Sequence, residues 1–393
     1  MHFNIDRQSL MTGLQRVYGV VPARSTVPVL TNVLLNVLPD KLEIVGTDLE
    51  MSVRTSVPIE APEAGAIAIP AKPFYEVIRE LPDIPIEFEI DGLQLLVRTP
   101  QGEYRFPGTA KEEYPAIVVP TSPEQVRLPT DALTRMLNRA LFAVSTDQLR
   151  LALTGVLFEF VEKELRIVAT DGHRLSRTVK KDVNDALDGK KCILPTKSLN
   201  VLLRNTDAAD EVTLRASKEH MVFELGDTTI YSKLIAAKYP QYERTIPMNN
   251  QFRMVVGRED LAASVRRVRV FASAISNAVT FKLEHTSLEI SAEDEEYGGG
   301  AREKLTIDYD GPELVVAYNA QFLIDILRHV DTPDVIFKLQ DGQTGALVFP
   351  SEQVVGEEFM MVIMPVMIGG SFSSSSETAA PDADYYFQGT DAD

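Results

Sequence analysis

Asp171 and His173 stand two residues apart in Thr170-Asp171-Gly172-His173-Arg174, a carboxylate and an imidazole near enough to suggest general acid–base chemistry. Close neighbours on a strand or turn seldom converge on one substrate. Metal chemistry is no better served. The five histidines, His2, His173, His220, His285 and His329, have no metal-ligand spacing, and Cys192 is alone. No GxxxxGK[ST] phosphate loop, HExxH or GxSxG is present. The expectation is a chain without a catalytic centre, a metal or a cofactor. A lone cysteine also excludes an intrachain disulfide.

The elements that must hold these residues recur. Lys41-Leu42-Glu43-Ile44-Val45-Gly46-Thr47-Asp48 returns as Glu164-Leu165-Arg166-Ile167-Val168-Ala169-Thr170-Asp171, and again as Ser287-Leu288-Glu289-Ile290-Ser291-Ala292-Glu293-Asp294. Apolar residues alternate with polar ones in each copy, as a half-buried strand requires. A helical pattern opens at Ile69-Pro70-Ala71-Lys72-Pro73-Phe74, then at Leu194-Pro195-Thr196-Lys197-Ser198-Leu199, then at Ala317-Tyr318-Asn319-Ala320-Gln321-Phe322. An earlier helix carries Leu10, Leu14 and Val17, matched by Leu133, Leu137 and Ala140 and by Leu261, Val265 and Val268. Asp6, Thr130 or Asp131, and Arg258-Glu259-Asp260 fall where helix caps and acidic first turns belong. The chain of 393 residues therefore reads as α+β, three similar units of helix, strands, helix, strands, with helices packed on antiparallel sheet. The expected domains are 1–122, 123–247 and 248–368, followed by a serine-rich and acidic tail, 369–393, with the composition of disorder.

Net charge is −18, which by itself argues against nucleic acid unless the basic residues are gathered on one surface. Six residues after each leading leucine, opposite the apolar stripe at about 100° per residue, stand Arg16, Arg139 and Arg267. Arg135 and Arg266 lie beside them, and Arg79, Arg204 and Arg328 occupy matching places near the second helices. Helices arrayed on one surface would make that surface basic. No stretch reaches 18 apolar residues and the N-terminus has no secretory pattern, so a cytoplasmic protein with no membrane role is expected.

Ile167-Val168-Ala169-Thr170-Asp171-Gly172-His173-Arg174-Leu175-Ser176 resembles a hallmark segment of the bacterial beta sliding clamp family, the beta subunit of DNA polymerase III. Lys238-Tyr239-Pro240-Gln241-Tyr242-Glu243-Arg244-Thr245-Ile246-Pro247 resembles another, and Val362-Ile363-Met364-Pro365-Val366-Met367-Ile368 that family's apolar C-terminal pentapeptide. Ala23-Arg24-Ser25-Thr26-Val27-Pro28-Val29-Leu30 and the run Glu293–Glu303 are similar to the family as well, and the likeness is collinear over residues 1–368.

The resemblance implies three clamp-type domains, a head-to-tail homodimer closing as a ring, helices lining the hole and antiparallel sheets outside. It implies a sequence-independent hold on duplex DNA, with Arg16, Arg24, Arg79, Arg135, Arg139, Lys197, Arg204, Arg266 and Arg267 facing it. It implies a non-catalytic accessory subunit whose partners are the replicative polymerase, the clamp loader and repair proteins, each inserting a short apolar-aromatic peptide. Carried over, the pocket would use Leu153, Thr170, Gly172, His173, Arg174 and Leu175, then Pro240 and Arg244, then Met364, Pro365, Val366, Met367 and Ile368. Met367 stands where the family often has arginine and Thr245 where it often has valine, so one end of the pocket should be more apolar. Dimer contacts would fall at Phe106 and at Val270 and Phe271. Two other classes compete: a three-repeat scaffold that binds proteins but not DNA, and an enzyme using Asp171 and His173. The scaffold would not need Arg16, Arg139 and Arg267 in register.

Overall fold

The computed structural model describes residues 1–117, 124–294 and 298–367; the expected boundary at 120–123, Ile368 and the tail 369–393 lie outside the described residues. Six α-helices occur among them: α1 (Arg7–Tyr18), α2 (Ala71–Glu80), α3 (Thr130–Leu141), α4 (Thr196–Leu203), α5 (Arg258–Val268) and α6 (Ala320–Arg328). The apolar stripes are those the periodicity predicts. Leu10, Leu14 and Val17, Leu133, Leu137 and Ala140, and Leu261, Val265 and Val268 are all buried. The alternating pairs Leu42/Ile44, Leu165/Ile167 and Leu288/Ile290 are fully buried too.

Asp6 caps α1, its carboxylate accepting from Ser9 N at 2.9 Å. On α5 the cap is Gly257, without a side-chain bond, and Glu259 and Asp260 sit in the first turn. Gly13 lets α1 settle on its sheet, since a Cβ there would lie 2.9 Å from Ile44 Cδ1.

Close contacts gather the chain into two compact units, and the middle repeat is divided between them. The first comprises Met1–Arg135, Phe160–Lys163 and Val183–Ile235. Its larger sheet runs Gly65–Pro70, Asn32–Val37, Lys41–Thr47, Met51–Pro58, Thr228–Lys233, His220–Leu225, Glu211–Ala216, Val126–Pro129. The join between repeats is an antiparallel ladder in which Thr228 faces Thr55 and Ser232 faces Met51, and the buried Thr55 and Thr228 hydroxyls meet at 2.8 Å. A smaller sheet of His2–Asp6, Pro85–Asp91, Gln94–Thr99 and Gly102–Pro107 ends on that last strand.

The second unit comprises Met136–Glu159, Glu164–Asp182 and the residues from Ala236 on. Its ladder order is Glu164–Thr170, Arg174–Lys180, Glu357–Ile363, Ala346–Pro350, Asp334–Leu339, Phe252–Gly257, Asp308–Tyr309. Here the join is Arg174–Lys180 against Glu357–Ile363, antiparallel, with Arg174 facing Ile363. Gly299–Thr306, Ser287–Asp294, Ala278–Glu284 and Leu314–Asn319 form a four-stranded sheet. The core packs α5 and α6, through Leu261, Val265, Leu323 and Leu327, against Phe281, Phe337 and Phe359.

Candidate functional site

Three stretches of the second unit meet at a cavity of about 490 Å³. Thr170, Gly172, His173, Arg174 and Leu175 form one side, and Arg244, Thr245 and Pro247 a second. Gln343, Thr344 and Gly345 with Val362 and Met364 complete it.

The first side is a turn built by its own polar groups. Asp171 Oδ1 accepts from the backbone N–H of His173 (2.9 Å) and of Arg174 (3.0 Å), and Thr170 Oγ1 donates to Arg174 O at 2.6 Å. Gly172 takes φ +94°, where a side chain would be strained. Asp171 therefore meets His173 through its backbone, and the Asp171 carboxylate also holds Arg174 Nε at 3.1 Å. The His173 ring stacks on Phe322, with centroids 5.9 Å apart. These bonds engage Asp171 as a turn cap and give the acid–base reading no geometry.

Arg174 braces the wall. Its guanidinium reaches Asp325 at 2.7 Å and Phe142 O at 2.8 Å, and lies over the rings of Phe322 (4.6 Å) and Phe142 (5.2 Å). Behind the second side, Tyr242 is buried and donates to Glu159 at 2.7 Å, which anchors the short helical turn Tyr242–Thr245. Burial pushes the Tyr242 phenol well above its ordinary range, so it remains a donor. Arg244, next to it, is exposed.

The C-terminal segment is strapped onto the same place. Met364 N donates to His173 O (2.9 Å) and Val366 N to Ala317 O (2.8 Å). Gly345 makes room for the thioether, since a Cβ there would lie 2.9 Å from Met364 Sδ. Met364 is 39% exposed and Met367 74%.

Of the residues expected to form the pocket, Thr170, Gly172, His173, Arg174, Leu175, Arg244 and Met364 line the cavity. Leu153 is buried, Pro240, Pro365 and Val366 are half-buried and Met367 is exposed, and none of these five lines it. Thr245, whose departure from the family was read as bearing on one end of the pocket, lines it as well, whereas Pro247, Gln343, Thr344, Gly345 and Val362 were not foreseen as lining. Asp341-Gly342-Gln343-Thr344-Gly345 reads as a turn in the sequence, but it reaches the cavity because the strand after it ladders with Glu357–Ile363, which no local pattern displays.

The basic residues divide by environment. Arg24, Arg79, Arg204, Arg266 and Arg267 are exposed, Arg79 pairing with Glu80 (2.9 Å) and Arg267 with Glu303 (2.6 Å). Arg16 pairs with Asp207 at 3.1 Å, Arg135 with Asp131 at 2.7 Å, and Lys197 with Asp48. Arg139 corrects the expectation of an exposed arginine in all three repeats. It is 6% exposed, bonded to Asp331 (2.9 Å) and Glu357 (3.5 Å), and lies 4.7 Å over Phe359. The buried Glu357 carboxylate needs a cation nearby, and Arg139 supplies it. Phe106 is likewise 5% exposed, its ring edge-on to Phe74 at 5.4 Å, whereas Val270 (75%) and Phe271 (41%) are exposed.

Among the described residues no cluster of histidine, cysteine or carboxylate side chains could hold a metal, and no helix is long and apolar enough to cross a membrane. Residues 1–118, 127–241 and 243–367 match, in turn, the N-terminal, central and C-terminal domains of the DNA polymerase III beta subunit. The chain belongs to the beta sliding clamp family. It is similar to the beta sliding clamp of Pseudomonas putida, 31% identical over 371 residues, which are 94% of this chain and all of the relative. The Escherichia coli beta sliding clamp is 28% identical over the same shares. Among solved structures, a sliding clamp of Pseudomonas aeruginosa with ligand superposes with a TM-score of 0.89 at 30% identity, over 94% of this chain and 100% of that one. A clamp from Bartonella birtlesii bound to griselimycin does so with a TM-score of 0.88 at 29% identity, over the same shares. As a sliding clamp, the chain is a non-catalytic, DNA-binding processivity factor of DNA polymerase III, and the scaffold and enzyme readings fall away.

Proposed function

We propose that the chain pairs head to tail with a second copy into a ring around duplex DNA and tethers replication and repair proteins through the cavity at Thr170–Leu175. One observation carries the tethering: segments nearly 200 residues apart converge on a cavity walled by Leu175, Pro247, Val362 and Met364, where Arg174 is already bonded to Asp171 and Asp325. Such walls recognise a ligand and do not transform it. Methionine and branched aliphatics adapt to several apolar-aromatic peptides, from the polymerase, the clamp loader or repair proteins, while His173, Arg244 and Thr344 can orient the bound backbone. The exposed Met367, beside Met364, extends the apolar rim.

For the ring, Gly102–Pro107 and Gly299–Thr306 are the terminal strands of their small sheets. An unpaired edge is a template for another strand, and pairing one copy's first against the other's second closes after two copies. The charges complement: Glu103 and Arg105 on one, Arg302, Glu303 and Lys304 on the other. Val270 and Phe271 supply apolar surface, and Phe106 acts from beneath through its strand. For DNA, the helices line the hole, with Arg24, Arg79, Arg204, Arg266 and Arg267 nearest the phosphates and Arg16, Arg135 and Lys197 held beside carboxylates. Loose, water-bridged phosphate contacts permit sliding, which tight binding would hinder. The domains are 1–122, 123–247 and 248–368, and the protein works in the cytoplasm.

The test is M364A/M367A. Both side chains are exposed, so the fold should hold, while a labelled peptide from the cognate polymerase should bind about tenfold more weakly, as loss of apolar anchors predicts. Unchanged affinity together with full polymerase stimulation would refute the proposal.

A further inference from the structure

Beyond the C-terminal family match, which ends at residue 367, this chain continues to residue 393. The point of departure is fixed: Met364 lines the cavity, and the bond from Val366 N to Ala317 O holds the last described residues at its rim. The extension has no lysine or arginine, and its one run of large apolar side chains is Tyr385-Tyr386-Phe387, preceded by Asp382 and Asp384. Tyr385 stands 18 positions past Met367 (385 − 367), a span of at most about 60 Å, so a segment leaving the rim can turn back into the cavity. Across the cavity, Arg244 is exposed with no ion pair among the described residues, a complement to the two aspartates.

We propose that Tyr385-Tyr386-Phe387 occupies the peptide cavity of its own chain and competes there with partner peptides. The idea rests on the peptide-binding reading above. The occupant is covalently attached, so its local concentration is set by the tether, on the order of millimolar for linkers of this class. Even a weak fit then lowers partner affinity severalfold, and a partner with a better anchor still displaces it. The tail would thus raise the threshold a peptide must pass, sparing the cavity for tight or multivalent partners.

The experiment compares full-length protein with its Y385A/Y386A/F387A variant, by anisotropy of a labelled peptide from the cognate polymerase. The variant should bind roughly threefold or more tightly. The gain should not change with protein concentration, as competition within one chain requires. Equal affinities overturn the proposal and leave the peptide-binding reading standing. A concentration-dependent gain also overturns it, assigning the tail to another copy's cavity. Failure of the polymerase peptide to bind either form removes the peptide-binding reading itself. As a second arm, a labelled peptide of residues 380–390 is titrated into the Y385A/Y386A/F387A protein with and without M364A/M367A. Binding weakened by those two substitutions supports the proposal, and absent or indifferent binding overturns it.

Discussion

Replacing Arg139 by methionine should cost far more stability than the same change at Arg267, although the two hold equivalent positions in their repeats. The Arg139 side chain is 7% exposed and its partner Glu357 only 1%. Methionine keeps the unbranched stem that packs on Phe359 and removes the charge. The buried Glu357 carboxylate then loses the Arg139 guanidinium, and breaking a buried pair from one side costs about 3–5 kcal/mol. Asp331, 64% exposed, is solvated by water and adds little. At Arg267 the side chain is 61% exposed and its partner Glu303 28%, so solvent screens the pair and little stability should be lost. Urea unfolding followed by far-UV circular dichroism measures both, since the chain has no tryptophan to report by fluorescence. The double change R139M/E357L should recover most of the loss, because removing both members of a buried pair is often near neutral. An Arg139→Met variant within about 1 kcal/mol of the parent would show that Glu357 does not depend on it, and the argument for its inward turn would fall.

Light scattering should give about twice 43.6 kDa at micromolar concentration, and a strictly monomeric solution would refute the ring. R24E/R204E/R266E changes exposed positions, so unfolding should be unaltered while retention on nicked circular DNA drops with a shallower response to salt; retention equal to the parent would refute a basic lining at those residues. Cys192 is 3% exposed and burial pushes its thiol up to about 11, so at pH 8 the thiolate is scarce and unreachable. It should react with a thiol reagent only after denaturation, and rapid labelling of native protein would refute that placement.

What sequence could reveal followed the range of the interactions involved. The stripes of α1, α3 and α5 and the pairs Leu42/Ile44, Leu165/Ile167 and Leu288/Ile290 are local patterns of period 3.6 and 2, and the structure buries each of them. The turn at Thr170–Arg174 was legible because its caps lie within four residues of one another. Arg139 was not, because the carboxylates that turn it inward lie 192 and 218 residues away. No helical wheel contains that information. The cavity was half legible: resemblance pointed to Thr170–Leu175, Arg244 and Met364, while Gln343–Gly345 joined it through a ladder between the last two strands that only the folded chain displays.

The joins between repeats bear on how this chain can be cut. A fragment ending where the repeats end would strip Thr228–Lys233 of its partner Met51–Pro58, and Arg174–Lys180 of Glu357–Ile363. The excised middle repeat would carry two raw strand margins, each with its amide and carbonyl groups facing water and ready to recruit a neighbour. Isolated middle repeats should therefore assemble into open-ended strings, whereas insertions in surface turns such as Gly92-Leu93, which leave every ladder paired, should be accommodated. Sequence repetition marks how the chain was copied, and the hydrogen-bond ladders mark where it can be divided.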